Sequence, residues 1–155
     1  MTPLDEIDWS ILEMLQQGDR TKRNELAENA GLSLPAASER LRKLEEHGLI
    51  EGYFAKINHR LVGKDITAFV VVIVDSSKHF GSIIQHAIDT DEILECHAIT
   101  GDGTHILKLR TENTATLEKL LGKIQSWNGV VQTKTSIVLS TQKETFRIKL
   151  PKPTK

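Results

Sequence analysis

The sequence has a single cysteine, Cys96, in 155 residues. No intrachain disulfide can form, a thiolate zinc site within one chain is disfavoured, and Cys96 reads as a small core residue. Four prolines, ten glycines and 5% aromatic residues leave no low-complexity tract, which excludes disordered and fibrous classes. No apolar run approaches the ~18–20 residues that span a bilayer. The opening residues, Met1-Thr2-Pro3-Leu4-Asp5-Glu6, lack the basic-then-apolar pattern of a secretory signal, so a cytoplasmic protein with no membrane partner is expected. Net charge is nearly absent as well, −1 at pH 7. With 39% hydrophobic and 26% charged residues, the chain fits one or two small domains.

A nucleic-acid binder needs local positive potential rather than a basic whole. From Arg20 to Arg60 eight basic residues face six acids, a mild excess of +2, whereas Asp5, Glu6, Asp8, Glu13 and Asp19 precede them without any Lys or Arg. Periodicity over this region predicts three helices. Thr2-Pro3-Leu4-Asp5 supplies an N-cap, a first-turn proline and an acid, after which Leu4, Ile7, Ile11 and Leu15 share one face until about Gly18. Thr21 is the expected cap of a second helix that Gly31 stops, with Leu26, Ala27 and Ala30 on one side. Ser33 caps a third, in which Ala37, Leu41 and Leu44 form the stripe and Gly48 the breaker. Leu49 to Ile57 then reads as a small strand. A tight Gly-containing turn between the last two helices matches a helix-turn-helix unit, with a generic three-helix bundle as the alternative.

After residue 64 the pattern changes. Ile66–Val74, Ile93–Thr100, Thr104–Thr111 and Val130–Leu139 read as strands, and the stripes Phe80/Ile83/Ile84/Ala87/Ile88 and Leu117/Leu120/Leu121/Ile124 as helices. The order β-α-β-β-α-β predicts an α+β chain: a helix-turn-helix (winged-helix-like) domain followed by a ferredoxin-like domain with both helices on one sheet face. Residues 1–57 form the first domain, 58–65 a linker, 66–142 the second domain and 143–155 a C-terminal tail. Because Phe69-Val70-Val71-Val72-Ile73-Val74 is apolar at both parities, a second copy packed sheet to sheet is expected to cover the remaining face.

Several of these residues also carry a resemblance: Leu4-Asp5-x-x-Asp8-x-x-Ile11-Leu12, Glu25-Leu26-Ala27, Gly31-Leu32-Ser33, Arg40-Leu41-x-x-Leu44-Glu45-x-x-Gly48-x-Ile50-x-Gly52-Tyr53, Glu95-Cys96-His97 and Thr100-Gly101-Asp102. In this order, from about Leu4 to Leu139, they resemble the Lrp/AsnC (feast/famine) family of transcription regulators. The resemblance implies a DNA-binding head, a body that oligomerises and binds an effector, homodimers assembling further into octamers, and amino-acid effectors held between dimers. In that family the loop at Thr100–His105 contributes to the ligand site and ends in an Asp-Tyr pair. Here Thr104-His105 stands there, so leucine or asparagine is not carried over as effector, and Asp102 is the acidic candidate.

For a head that reads double-stranded DNA, Ser33, Leu34, Pro35, Ser38, Glu39 and Arg42 are the candidates at the start of the third helix, Arg42 for guanine and Glu39 for cytosine. Lys22, Arg23 and Lys43 are placed for phosphates. Arg40, beside the core stripe, is expected to position the helix or form an intradomain ion pair. A solvated helix face is the plain alternative for each side chain. The candidate effector residues are Thr100, Gly101, Asp102, Gly103, Thr104 and His105, with a simple hairpin turn as the alternative. Six histidines show no His-x-x-x-His pair, and no catalytic or dinucleotide motif is present, so no metal, cofactor or enzymatic activity is expected. A second resemblance, to sirohaem decarboxylases of similar architecture, would direct attention to His97 and His105.

Overall fold

The computed structural model describes residues 4–17 and 21–151. They divide into two compact units: one runs to Lys56 and includes the segment from Lys143 onward, the other spans Ile57–Gln142.

The first unit contains helices α1 (Glu6–Leu15), α2 (Arg23–Asn29) and α3 (Leu34–Glu46). Asp5, rather than the expected Thr2, caps α1. Its carboxylate accepts from the Asp8 amide at 2.9 Å while Asp8 accepts from the Asp5 amide at 3.1 Å, a reciprocal box that satisfies two otherwise orphaned donors. Thr2, Pro3 and Gly18 lie outside the described residues. Lys22, one residue beyond the expected Thr21, is the N-cap of α2, with its amide donating to Glu25 Oε2 at 3.2 Å.

Gly31 and Gly48 end α2 and α3 at φ +63° and +71°. In both cases the following leucine amide returns to the last turn: Leu32 to Ala27 O at 2.9 Å, Leu49 to Leu44 O at 3.0 Å. This satisfies a terminal carbonyl and needs a left-handed residue that only glycine adopts without strain. Ile11, Leu12, Leu26, Leu41 and Leu44 form the buried centre, joined at its margin by Leu150 from the C-terminal segment. That segment is held by Arg147 on Glu13, by the Ile148 amide on Gln16 Oε1 at 2.7 Å and by Lys56 Nζ on the Glu144 carbonyl at 3.0 Å.

Leu49 to Ile57 is not a strand: residues 50–58 belong to no sheet, and Tyr53, Phe54 and Ile57 are exposed. The β-favouring residues are present, but among the described residues no neighbouring strand accepts their hydrogen bonds, and strand structure is a property of pairs.

The second unit contains β1 (Ile66–Val74), α4 (Phe80–Ile88), β2 (Ile93–Ala98), β3 (His105–Thr111), α5 (Thr114–Gln125) and β4 (Val130–Ile137). All pairings are antiparallel in the order β2-β3-β1-β4. Ala68, Val70, Val72, Val74, Leu107 and Leu109 point into the layer shared with Ile83, Ala87, Leu117, Leu120 and Ile124 of the helices. The alternate parity places Phe69, Val71, Ile73 and Ile106 on the opposite face, in register with Lys108, Lys134, Ser136 and Gln132 at their flanks. These four apolar residues remain half-buried or exposed in the single chain.

Candidate nucleic-acid interface and ligand loop

Ser33 begins α3 with extended backbone, and its hydroxyl accepts from the Ala36 amide at 3.4 Å. This sets the entry angle of the helix. Pro35 and Glu39 are exposed on the side away from the Ala37/Leu41/Leu44 stripe, Ser38 is half-buried at its flank, and Leu34, in line with Ala37 and Leu41, is exposed at the start of the helix. Lys22 and Arg23, at the start of α2, are exposed too. Arg40 fulfils its expected structural role: Nη1 donates to Asp5 Oδ2 at 2.6 Å and Asp8 Oδ1 at 2.9 Å, joining α3 to the start of α1. The Asp8 amide bond, reinforced by Arg40, holds the Asp5 carboxyl below the usual carboxylate range.

Arg42 is not a free cation. Its Nε and Nη2 donate to Glu39 at 2.9 and 2.7 Å, and its Nη1 donates to Glu46. Lys43 Nζ lies 3.8 Å from the same Glu39 carboxylate. Glu39, read from sequence as a partner for cytosine, is thus bound to the arginine beside it, which lowers its carboxyl pKa. Glu46 was not singled out, although its separation from Arg42 by one helical turn is a legible signal.

In the second unit the β2–β3 hairpin carries the loop. Ile99 N donates to Thr104 O at 3.0 Å, and the Thr104 amide and hydroxyl both donate to Val72 O at 2.9 Å, which ties the loop to β1. Gly101 adopts φ +104°. Gly103 lies so close to β1 that a Cβ would stand 2.2 Å from Val71 Cγ1. Thr100, Gly101 and Asp102 are exposed, Gly103 and Thr104 half-buried.

His105 differs from its loop neighbours. It is 1% exposed, faces the helices and meets Phe80 edge to face at 4.8 Å. Since the Thr104 hydroxyl proton is used on Val72, His105 Nδ1 donates to Thr104 Oγ1 at 3.1 Å, and Nε2 is left as a buried acceptor without a partner among the described residues. Burial lowers its pKa. His97 projects from the other sheet face, 61% exposed and 3.5 Å from Glu95, so the two histidines do not converge. Among the described residues no group of three His, Cys, Asp or Glu side chains could hold a metal, and no helix is long and apolar enough to cross a membrane. A cleft of about 510 Å³ lies elsewhere in this unit, between α5 and β4, lined by Leu117, Leu121, Gln125 and Ile137 among others.

A model described as winged helix-turn-helix DNA-binding matches residues 4–51, and one described as Lrp/AsnC ligand binding domain matches residues 67–148. Together they define the class: a transcriptional regulator with a helix-turn-helix DNA-binding domain and a ligand-binding domain. The chain is 36% identical over 146 residues to the HTH-type transcriptional regulator FL11 of Pyrococcus horikoshii, covering 94% of this chain and 96% of that protein. It is 34% identical over 151 residues to the leucine-responsive regulatory protein of Klebsiella pneumoniae, covering 94% and 90%. A solved transcriptional regulator of Neisseria meningitidis in complex with L-methionine superposes with a TM-score of 0.87 at 28% identity, covering 95% of this chain and 97% of that one. The chain belongs to the Lrp/AsnC family.

Proposed function

We propose that the protein binds DNA sequence-specifically as a homodimer and that a small effector, an amino acid, shifts its assembly or its DNA binding. The observation that carries the DNA reading is α3: a capped helix with one buried stripe and, along its first three turns, exposed or half-buried side chains at Leu34, Pro35, Ser38, Glu39 and Arg42. Arg42 contacts a base edge; Lys22, Arg23, Ser33 and Lys43 contact the backbone.

The apolar stripe Phe69/Val71/Ile73/Ile106 supports the sheet-to-sheet dimer, because a solvent-facing stripe of this kind is stabilised by burial against a copy of itself. Thr100–Thr104 forms part of the effector site. Backbone amides and the Asp102 carboxylate are available there, but one exposed hairpin tip cannot enclose a ligand, so a neighbouring dimer in an octamer completes the site. His105 supports this loop from beneath through Thr104. The Neisseria relative's methionine complex makes an amino acid the favoured ligand class.

Footprinting tests the DNA reading: the dimer protects two half-sites about 10–10.5 base pairs apart or a multiple of that. Arg42→Ala relaxes preference at one position per half-site, whereas Lys22→Ala weakens all sequences alike and flattens the salt dependence by about one. Equal effects of both changes on specific and random DNA reject the division of roles. A thermal-shift screen of the amino acids tests the effector, since a ligand that binds only the native state raises the melting temperature. Asp102→Ala reduces that rise without altering DNA binding at zero ligand; no response to any amino acid rejects the ligand class. Phe69→Asp yields a monomer in sedimentation, and a folded wild-type monomer at micromolar concentration rejects the dimer.

A further inference from the structure

Helix α3 carries as many acids as bases: Glu39, Glu45 and Glu46 against Arg40, Arg42 and Lys43. Two of the acids stand in its last turn, where the carbonyl end of the helix disfavours negative charge. Lys43 is the one cation of that turn, so the acids outnumber the bases where a helix shaped only to attract phosphate would carry cations. Both acids are engaged instead: Glu45 accepts from the Tyr53 hydroxyl at 2.9 Å, and Glu46 accepts from Arg42 Nη1.

From the preceding turn Glu39 grips the same guanidinium along its Nε–Nη2 edge. The arginine is therefore clamped between carboxylates at i−3 and i+4. Of the five N–H groups of a guanidinium, three are taken; the remaining two, one on Nη1 and one on Nη2, have no partner among the described residues. One unused N–H on each terminal nitrogen is what such a guanidinium keeps for the O6/N7 acceptors of guanine.

Resting on the reading of α3 as the recognition helix, we propose that Glu39 and Glu46 are positioning residues. They hold the Arg42 guanidinium with its terminal donor pair available to a guanine edge, and Glu46 thereby sets the ratio of specific to non-specific DNA binding. Two physical effects act together. A clamped arginine has already lost the rotamer freedom that a loose one loses on binding, which favours the geometrically demanding base contact. The carboxylates also cancel the positive charge that would otherwise bind any phosphate, which disfavours random DNA.

The experiment measures binding of the full-length protein to a duplex selected from a random library and to a random-sequence duplex, across a salt series. Glu46→Gln tightens binding to the random duplex and steepens its salt dependence by about one, as the released Arg42 reaches a phosphate. Binding to the selected duplex stays level or weakens, so the specificity ratio falls by about tenfold. Glu39→Gln acts in the same direction. Glu45→Gln removes the same charge from the same turn outside the clamp, and it shifts both duplexes by one factor. In an Arg42→Ala background Glu46→Gln leaves the ratio unchanged. The proposal is overturned if Glu46→Gln behaves like Glu45→Gln, if it has no effect, or if its effect on the ratio persists without Arg42. Should the unaltered protein show no salt-sensitive binding to either duplex, the DNA reading itself has failed instead.

Discussion

The buried cluster of the helical unit holds five residues among those described, whereas that of the sheet unit holds twelve. The smaller unit adds ion pairs to its core: Arg40 bridges two helices through Asp5 and Asp8, and Arg147 fastens the C-terminal segment to Glu13. The larger unit has apolar surface to spare, with Phe69, Val71, Ile73 and Ile106 left on the sheet face opposite its helices. One unit ends in charges arranged at a surface, the other in an uncovered apolar stripe. A charged polymer suits the first and a copy of the chain the second.

The sharpest way to break this contrast is to remove comparable amounts of each kind of interaction. Leu107→Ala empties a site that is 0% exposed between sheet and helices and should cost about 2–5 kcal/mol. Calorimetric or denaturant unfolding of the sheet unit reads that loss directly. A cost near zero would mean that apolar packing is not what holds the unit.

Next in size is a pH effect from His105. Its folded pKa lies below the ordinary 6.5 because burial disfavours the charged ring. The unfolded chain therefore binds a proton that the folded chain refuses. The contribution is fully present above about pH 6.5 and is lost as pH falls through the window down to the folded value, by at most about 1.4 kcal/mol per pH unit. His105→Leu should flatten this slope between pH 6.5 and the folded pKa; an identical slope in variant and wild type would assign the titration elsewhere.

The smallest effect is expected from Arg40→Gln. Its side chain is 32% exposed and its partner Asp5 49%, so solvent screens the pair, and the loss should be about 0.5–1 kcal/mol, confined to the helical unit. High salt should shrink it further. A cost as large as that of Leu107→Ala would show that the helical unit depends on its charges as much as the sheet unit depends on its core.

Much of this organisation was legible in the sequence because it is local. The helical stripes, the Ser33 cap and the glycines at positions 31 and 48 each report a preference of a few consecutive residues, and α3, α4 and β1 lie where periodicity placed them. Where local signals were ambiguous, neighbours decided. Thr2 is the expected cap of α1, with Asp5 as the acid of its first turn, and the reciprocal bonds of Asp5 and Asp8 make Asp5 the cap instead. Leu49 to Ile57 has strand-like composition but no partner strand among the described residues. The family resemblance grouped Thr100–His105 as one ligand loop, yet strand alternation turns His105 under the helices while Thr100 to Asp102 stay in solvent.

The sequence by itself determined where the helical stripes and the four strands of the sheet lie and that one sheet face would lack a cover, since these follow from spacing and residue type, while its ordered motifs carried the family resemblance. Only the tertiary structure decided which charges meet. Arg40 reaches acids more than thirty positions earlier because α1 and α3 pack together. Arg147 reaches Glu13 from the far end of the chain. Among several carboxylates within one helical turn, side-chain geometry gave Arg42 to Glu39 and Glu46 and left Glu45 to Tyr53. Apolar patterning is periodic and can be counted along a chain, but an ion pair depends on distance in space and on rotamer, which only the packed elements set.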